Sequence, residues 1–145
     1  MKPVTVSTAV AKSPQETSDF LATMSNHESF MGQMLVDWKF SGPKQGVGAE
    51  AYARANTKGS QDWTDFKIVE AGPGKVVVEA ESAGGKRSVR HSYTLAEQPG
   101  GGTKVSLELD WLKMSKTDRL SPPLALAFAR RPYAKALRRL AKQLS

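Results

Sequence analysis

His91 and Tyr93 stand two residues apart in the alternating run Val89–Leu95, so on a strand both rings point to one side. Inside a cavity they carry the groups for general acid–base work: an imidazole to move a proton and a phenol to polarise a carbonyl. The same pattern describes a satisfied, half-buried pair on a barrel wall, and no acidic residue that would orient His91 is readable from the chain. Trp38, Phe66, Trp111 and Phe128 join them as large side chains on the expected inner face, with Met24 and Met34 nearby. Such a set either lines a pocket for a lipid, polyketide or aromatic compound or fills a core. Arg130 shares a helix face with Leu126, Tyr133 and Leu137. There its guanidinium either anchors a ligand carboxylate or reaches solvent along its aliphatic stem.

Other chemistries are excluded or disfavoured. The chain has no cysteine, which removes disulfides, thiolate metal sites and a thiol nucleophile. It has only two histidines, so His27 with Glu28 lacks the further ligands that a metal site needs. Gly46-Val47-Gly48-Ala49-Glu50-Ala51 fits a dinucleotide fingerprint formally. A βαβ unit is missing around it, and a hairpin turn explains it better. Gly100-Gly101-Gly102 has no following Lys-Ser/Thr and reads as another turn. No cofactor and no metal are expected.

The elements that hold these residues are short strands between regular Gly and Pro punctuation. Val4/Val6/Thr8/Val10, Met34/Val36/Trp38/Phe40, Thr64/Phe66/Ile68, Val76/Val78/Ala80, Val89/His91/Tyr93/Leu95 and Val105/Leu107/Leu109/Trp111 each alternate with more polar neighbours. Ser13-Pro14-Gln15-Glu16 starts a helix with Phe20, Leu21 and Met24 on its apolar side, and a second short helix fits Asn26 to Met31. Residues 49–55 alternate as a strand does but are rich in helix-favouring alanine, and pattern and propensity conflict there. A last helix begins at Ser121-Pro122 and runs to about Leu144. Leu126, Tyr133, Leu137, Leu140 and Leu144 share one arc of it, Arg131, Lys135, Arg138, Arg139 and Lys142 the other, and Pro132 interrupts it. Its first half is apolar nearly all round (Leu124, Leu126, Phe128) and should be buried on more than one side.

The 145 residues suit one domain over 1–145, and the 39% hydrophobic and 24% charged content suits a globular chain. The formal charge of +7 is local: residues 1–118 hold 14 acids and 14 Lys/Arg, whereas 119–145 hold seven cations and no acid. The basic face of the last helix is mainly a solvated surface. It leaves open contact with an anionic surface through Arg131, Lys135, Arg138, Arg139 and Lys142. Nucleic acid is disfavoured because no aromatic side chain interleaves the cations. No transmembrane segment or signal-peptide core is present, since the longest run without Asp, Glu, Lys or Arg is the ten residues Leu120–Ala129. A cytoplasmic location is expected.

The order of strand, helix pair, six-strand meander and long helix gives an α+β fold. In it a curved antiparallel sheet of about seven strands wraps a long C-terminal helix, with two short helices after the first strand. The chain resembles the START-domain and birch-pollen-allergen superfamily (SRPBCC), in its polyketide cyclase/dehydrase-like branch. The resemblance rests on Ser13-Pro14 and Phe20-Leu21 after the opening strand, Gly46-Val47-Gly48-Ala49, and Trp63 opening a strand that ends Val69-Glu70-Ala71-Gly72-Pro73-Gly74. It continues through Tyr93-Thr94-Leu95, Gly102-Thr103-Lys104-Val105 and the final helix, and covers nearly the whole chain. It implies a helix-grip fold, favours a strand at 49–55, and implies an internal cavity for a hydrophobic small molecule. It does not imply an activity. Three functions stay open: a non-catalytic binding or carrier protein, which is favoured, a cyclase- or dehydratase-type enzyme using His91 and Tyr93, and a protein-interaction module.

Overall fold

The computed structural model describes residues 2–145, except for the side chain of Phe128. Strand β1 (Val4–Val10) leads into helices α1 (Pro14–Ala22) and α2 (His27–Met31), which are joined by a 3-10 turn. Strands β2 (Leu35–Ser41), β3 (Glu50–Ala55), β4 (Trp63–Gly72), β5 (Lys75–Ser82), β6 (Arg87–Glu97) and β7 (Thr103–Lys113) follow as a meander. A short helix, α3 (Lys116–Leu120), precedes the long α4 (Pro122–Gln143).

The seven strands form one antiparallel sheet in the order β1-β7-β6-β5-β4-β3-β2. The α1–α2 excursion carries the chain from one edge to the other, and β7 returns to pair with β1. The strand reading of 49–55 holds, with Ala51 and Ala53 buried inward and small enough for close packing.

Alternation sorts the faces. Val76, Val78 and Ala80 of β5, His91, Tyr93 and Leu95 of β6, and Val105, Leu107 and Leu109 of β7 are all buried. β2 departs from the expected phase. A bulge between Val36 and Lys39, with Asp37 at φ 58°, inserts residues opposite β3. Leu35 is therefore the buried residue ahead of the bulge and Val36 only half-buried, while Trp38 and Phe40 stack on one another beyond it. Arg54 braces the bulge by donating to Asp37 Oδ2 at 2.7 and 2.9 Å.

α1 begins as the sequence implies, with Ser13 Oγ accepting from Glu16 N–H at 3.1 Å and Pro14 in the first turn. In α4, Ala136, Leu137, Leu140 and, just beyond its end, Leu144 are buried. The Leu144 carbonyl accepts from the Ala11 and Lys12 N–H groups at 3.0 and 3.2 Å, which fastens the helix end to the chain leaving β1. Gln143 and Ser29 exchange two hydrogen bonds between α4 and α2.

The first half of α4 corrects an expectation. Leu124 is 53% exposed instead of buried on several sides. This half is only partly packed, with Leu126 and Ala129 against the core. Its inner residues Ala125 and Ala129 border open space.

The C-terminal half of α4 thus carries much of the helix–sheet contact. Leu137→Ala should destabilise the protein by about 2–5 kcal/mol, read as a lower denaturation midpoint with little change in slope. A loss near zero would show that this half does not clamp the sheet.

Candidate functional site

Between the concave face of the sheet, α3 and the first half of α4 lies a cavity of about 380 Å³. That is near the lower end of the volumes that hold small molecules. Leu35, Phe66, Val89, Leu109 and Ala129 make much of its wall. Asp62, Arg87, His91, Asp118 and Tyr133 supply its polar groups, and Trp111 borders it as well.

The polar end is organised by an ion pair. Arg87, the first residue of β6, donates from Nε to Asp118 Oδ2 at 2.7 Å and from Nη2 to Asp118 Oδ1 at 3.0 Å. Asp118 sits in α3 because Ser115 caps that helix, its Oγ accepting from Asp118 N–H at 3.3 Å. The pair raises the Arg87 pKa, and hydrogen bonding from Arg87 holds Asp118 below the usual carboxylate range. Asp62 borders the cavity and accepts from Ala83 N–H at 3.0 Å. That bond steadies the β5–β6 turn, where Ala83 takes a left-handed φ of 54°.

His91 lines the cavity as a buried residue. Its ring meets Tyr133 edge-on, with centroids 5.2 Å apart, and Phe66 at 6.0 Å. Burial, and next the proximity of His27, lowers its pKa to about 3. His27 is also fully buried, and desolvation lowers it to about 4 against the opposing effect of its bond to the Leu21 carbonyl at 2.7 Å. A carbonyl only accepts, so Nε2 of His27 carries the proton. Burial raises the phenol of Tyr133 above its ordinary value, opposed by the nearby Arg87.

The residues singled out in the sequence separate in space. His91, Phe66 and Trp111 border the cavity. Tyr93 shares the inner face with His91 but packs edge-on against His27, 6.0 Å between centroids, and is not among the residues bordering the cavity. Burial, and then Tyr133, raises its phenol pKa. Trp38 stands behind the wall: it stacks on Phe66 at 5.6 Å and donates its indole N–H to the Leu35 carbonyl at 3.0 Å. Arg130 is exposed and donates to the Thr5 carbonyl on edge strand β1 at 3.4 Å, outside the cavity lining. Phe128 has its side chain outside the described residues. Arg131, Lys135, Arg138 and Lys142 are exposed and Arg139 is half-buried. No helix among the described residues is long and apolar enough to cross a membrane.

Sequence reasoning did not single out Arg87, Asp118 or Asp62 as site residues, and it read Tyr133 only as part of the apolar stripe. Ser115-Lys116-Thr117-Asp118 has the spacing of a helix start, and that signal would have placed Asp118 in a first turn. Nothing local marks Arg87, whose partner lies 31 residues away.

No protein-family model matches the chain, and no curated protein matches it in sequence. Solved structures do match it in shape. The Zhui aromatase/cyclase of a Streptomyces species aligns with a TM-score of 0.77 at 10% identity, over 99% of this chain and 93% of that one. A Thermus thermophilus protein aligns at 0.76 with 12% identity, over 99% and 97% of the two chains. A major latex-like protein of Panax ginseng aligns at 0.71 with 12% identity, again over 99% and 97%. The chain shares the helix-grip fold of these proteins. At such identities the likeness is one of fold.

The buried histidines make stability depend on pH. Their folded pKa values lie below the ordinary 6.5, so as pH falls below 6.5 the unfolded chain takes up protons that the folded chain refuses. Stability should fall steadily from about pH 6.5 toward the folded values near 4 and 3. His91→Gln should flatten that slope in denaturation curves taken across the range. An unchanged slope in both His91→Gln and His27→Gln would mean that neither ring is held neutral by burial.

Proposed function

We propose that this protein binds a hydrophobic small molecule, such as a lipid or polyketide-like compound, in the cavity between the sheet and α4, and acts as a carrier or binding protein. The observation that supports this most directly is a mostly apolar cavity of about 380 Å³, half-open to solvent, between the sheet and α4. A second observation agrees. The Trp111 indole N–H is buried and has no hydrogen-bond partner among the described residues. Orphaned donors of this kind are few in native proteins, and an acceptor brought into the cavity that Trp111 borders would satisfy it. The fold is shared with an aromatase/cyclase and a latex-like protein, which fits a cavity-centred role.

A cyclase- or dehydratase-type reaction is the second reading, supported by the place of His91 on the cavity wall. Its partner there is Tyr133, in place of the Tyr93 expected from strand spacing.

Native mass spectrometry of gently purified protein should show a fraction carrying an apolar small molecule. Ala129→Phe, which fills the cavity from α4, should lose that mass and the uptake of an environment-sensitive apolar dye while keeping a cooperative melt. Absence of any bound mass together with no dye uptake by the unmodified protein would overturn the binding reading.

A further inference from the structure

The cavity's only lining guanidinium among the described residues is already committed. Arg87 presents Nε and Nη2 as a parallel pair to the two oxygens of Asp118, and Nη2 also reaches Ser115 Oγ at 3.4 Å. Arginine reads a carboxylate by this side-on edge or by its end-on Nη1/Nη2 edge; Asp118 fills the first, and the contact of Nη2 with Ser115 Oγ engages one donor of the second. The three bonds leave Nη1 out. Asp62 brings a second carboxylate to the same end of the cavity and to the field of Arg87. The remaining titratable groups of the lining, buried His91 and half-buried Tyr133, are in their neutral forms. One cation therefore faces two anions, and the lining carries a net negative charge.

A ligand carboxylate placed there would lose part of its water, find the side-on edge of the arginine occupied, and face Asp62 in a cavity only half-open to solvent, where like charges repel. A neutral acceptor meets the opposite situation. Nη1 of Arg87, the phenol of Tyr133 and the unpartnered indole N–H of Trp111 are donors at or beside the same cavity, and each can serve a single oxygen lone pair.

From this we infer that the cavity selects an uncharged apolar molecule bearing a hydrogen-bond acceptor such as a ketone or quinone oxygen, and rejects the free carboxylate of the same skeleton. The inference rests on the cavity being a binding site, as proposed above, and adds the charge class of its ligand. It separates neutral polyketide- or quinone-like compounds from fatty-acid-like anions, two groups that apolar walls alone do not tell apart.

The test is a matched pair of probes on one ring system, methyl naphthyl ketone and naphthoate, titrated calorimetrically into the full-length protein at neutral pH. The ketone should bind at least about tenfold more tightly than naphthoate. Asp62→Asn keeps an oxygen to accept from Ala83 N–H but removes the charge, so it should strengthen naphthoate several-fold relative to the ketone. Naphthoate binding as tightly as the ketone to the unmodified protein would overturn the charge selection and leave the binding reading standing. Equal effects of Asp62→Asn on both probes would overturn the role given to Asp62. Failure of both probes to bind would overturn the binding reading itself, and this inference with it.

Discussion

One helix has to cover one dry face of a wide, curved sheet. Seven antiparallel strands present more inward apolar surface than a single rod can contact along its length. The chain resolves this unevenly. Leu137, Leu140 and Leu144 press the C-terminal half of α4 onto the sheet, and the Leu144 carbonyl is tied to the chain beyond β1. α1 and α2 cover another part, with Leu21, Phe30 and Met31 buried. What remains uncovered by direct packing is the stretch under the first half of α4, and the cavity is found there. Small residues on the helix, Ala125 and Ala129, keep that space open where leucines would close it.

The same geometry sets the electrostatics. Groups on the concave face lie far from water wherever helix or sheet closes over them, so charge is disfavoured unless it is paired. His27 and His91 respond by remaining neutral, with pKa values near 4 and 3. Arg87 and Asp118 respond by pairing, and their bond also joins β6 to α3 at the cavity's edge. The Arg87–Asp118 pair is half-exposed on the arginine side, and exposed ion pairs contribute little stability. Its consequence is positional: it fixes where α3 sits and occupies the side-on donor edge of the lining arginine.

Much of this architecture was legible in the sequence because it depends on local periodicity. The period of two placed six strands, Ser13-Pro14 and Ser121-Pro122 placed two helix starts, and the split charge of residues 119–145 placed α4's outer face. The failures have physical causes. A bulge changes strand phase without changing composition, so Val36 and Leu35 exchanged roles in β2. A helix half that covers a void has the same apolar sequence as one that covers a core, which is why Leu124 was expected to be buried. The polar end of the cavity is a contact between residues far apart in the chain, and no pattern within β6 or α3 states it. Tyr93 illustrates the limit of the rule that strand neighbours two apart share a face: sharing a face with His91 did not give it a share of the cavity.

The proposed binding role accords with the character of His91, which reaches the cavity. A general base works best when its pKa lies near the working pH. With a pKa of about 3, His91 at neutral pH is an acceptor of hydrogen bonds and a poor receiver of protons. Tyr133, raised above the ordinary phenol value, is correspondingly a donor that holds its proton. No carboxylate among the described residues hydrogen-bonds His91 to raise it, since Asp118 is engaged by Arg87 and Asp62 by the Ala83 amide. Such a set of groups can orient and polarise a bound carbonyl through directed hydrogen bonds. For His91 to take up a proton at neutral pH its pKa would have to rise, as closer approach of Asp62 would bring about, and the Ala83 amide holds that carboxylate at the β5–β6 turn.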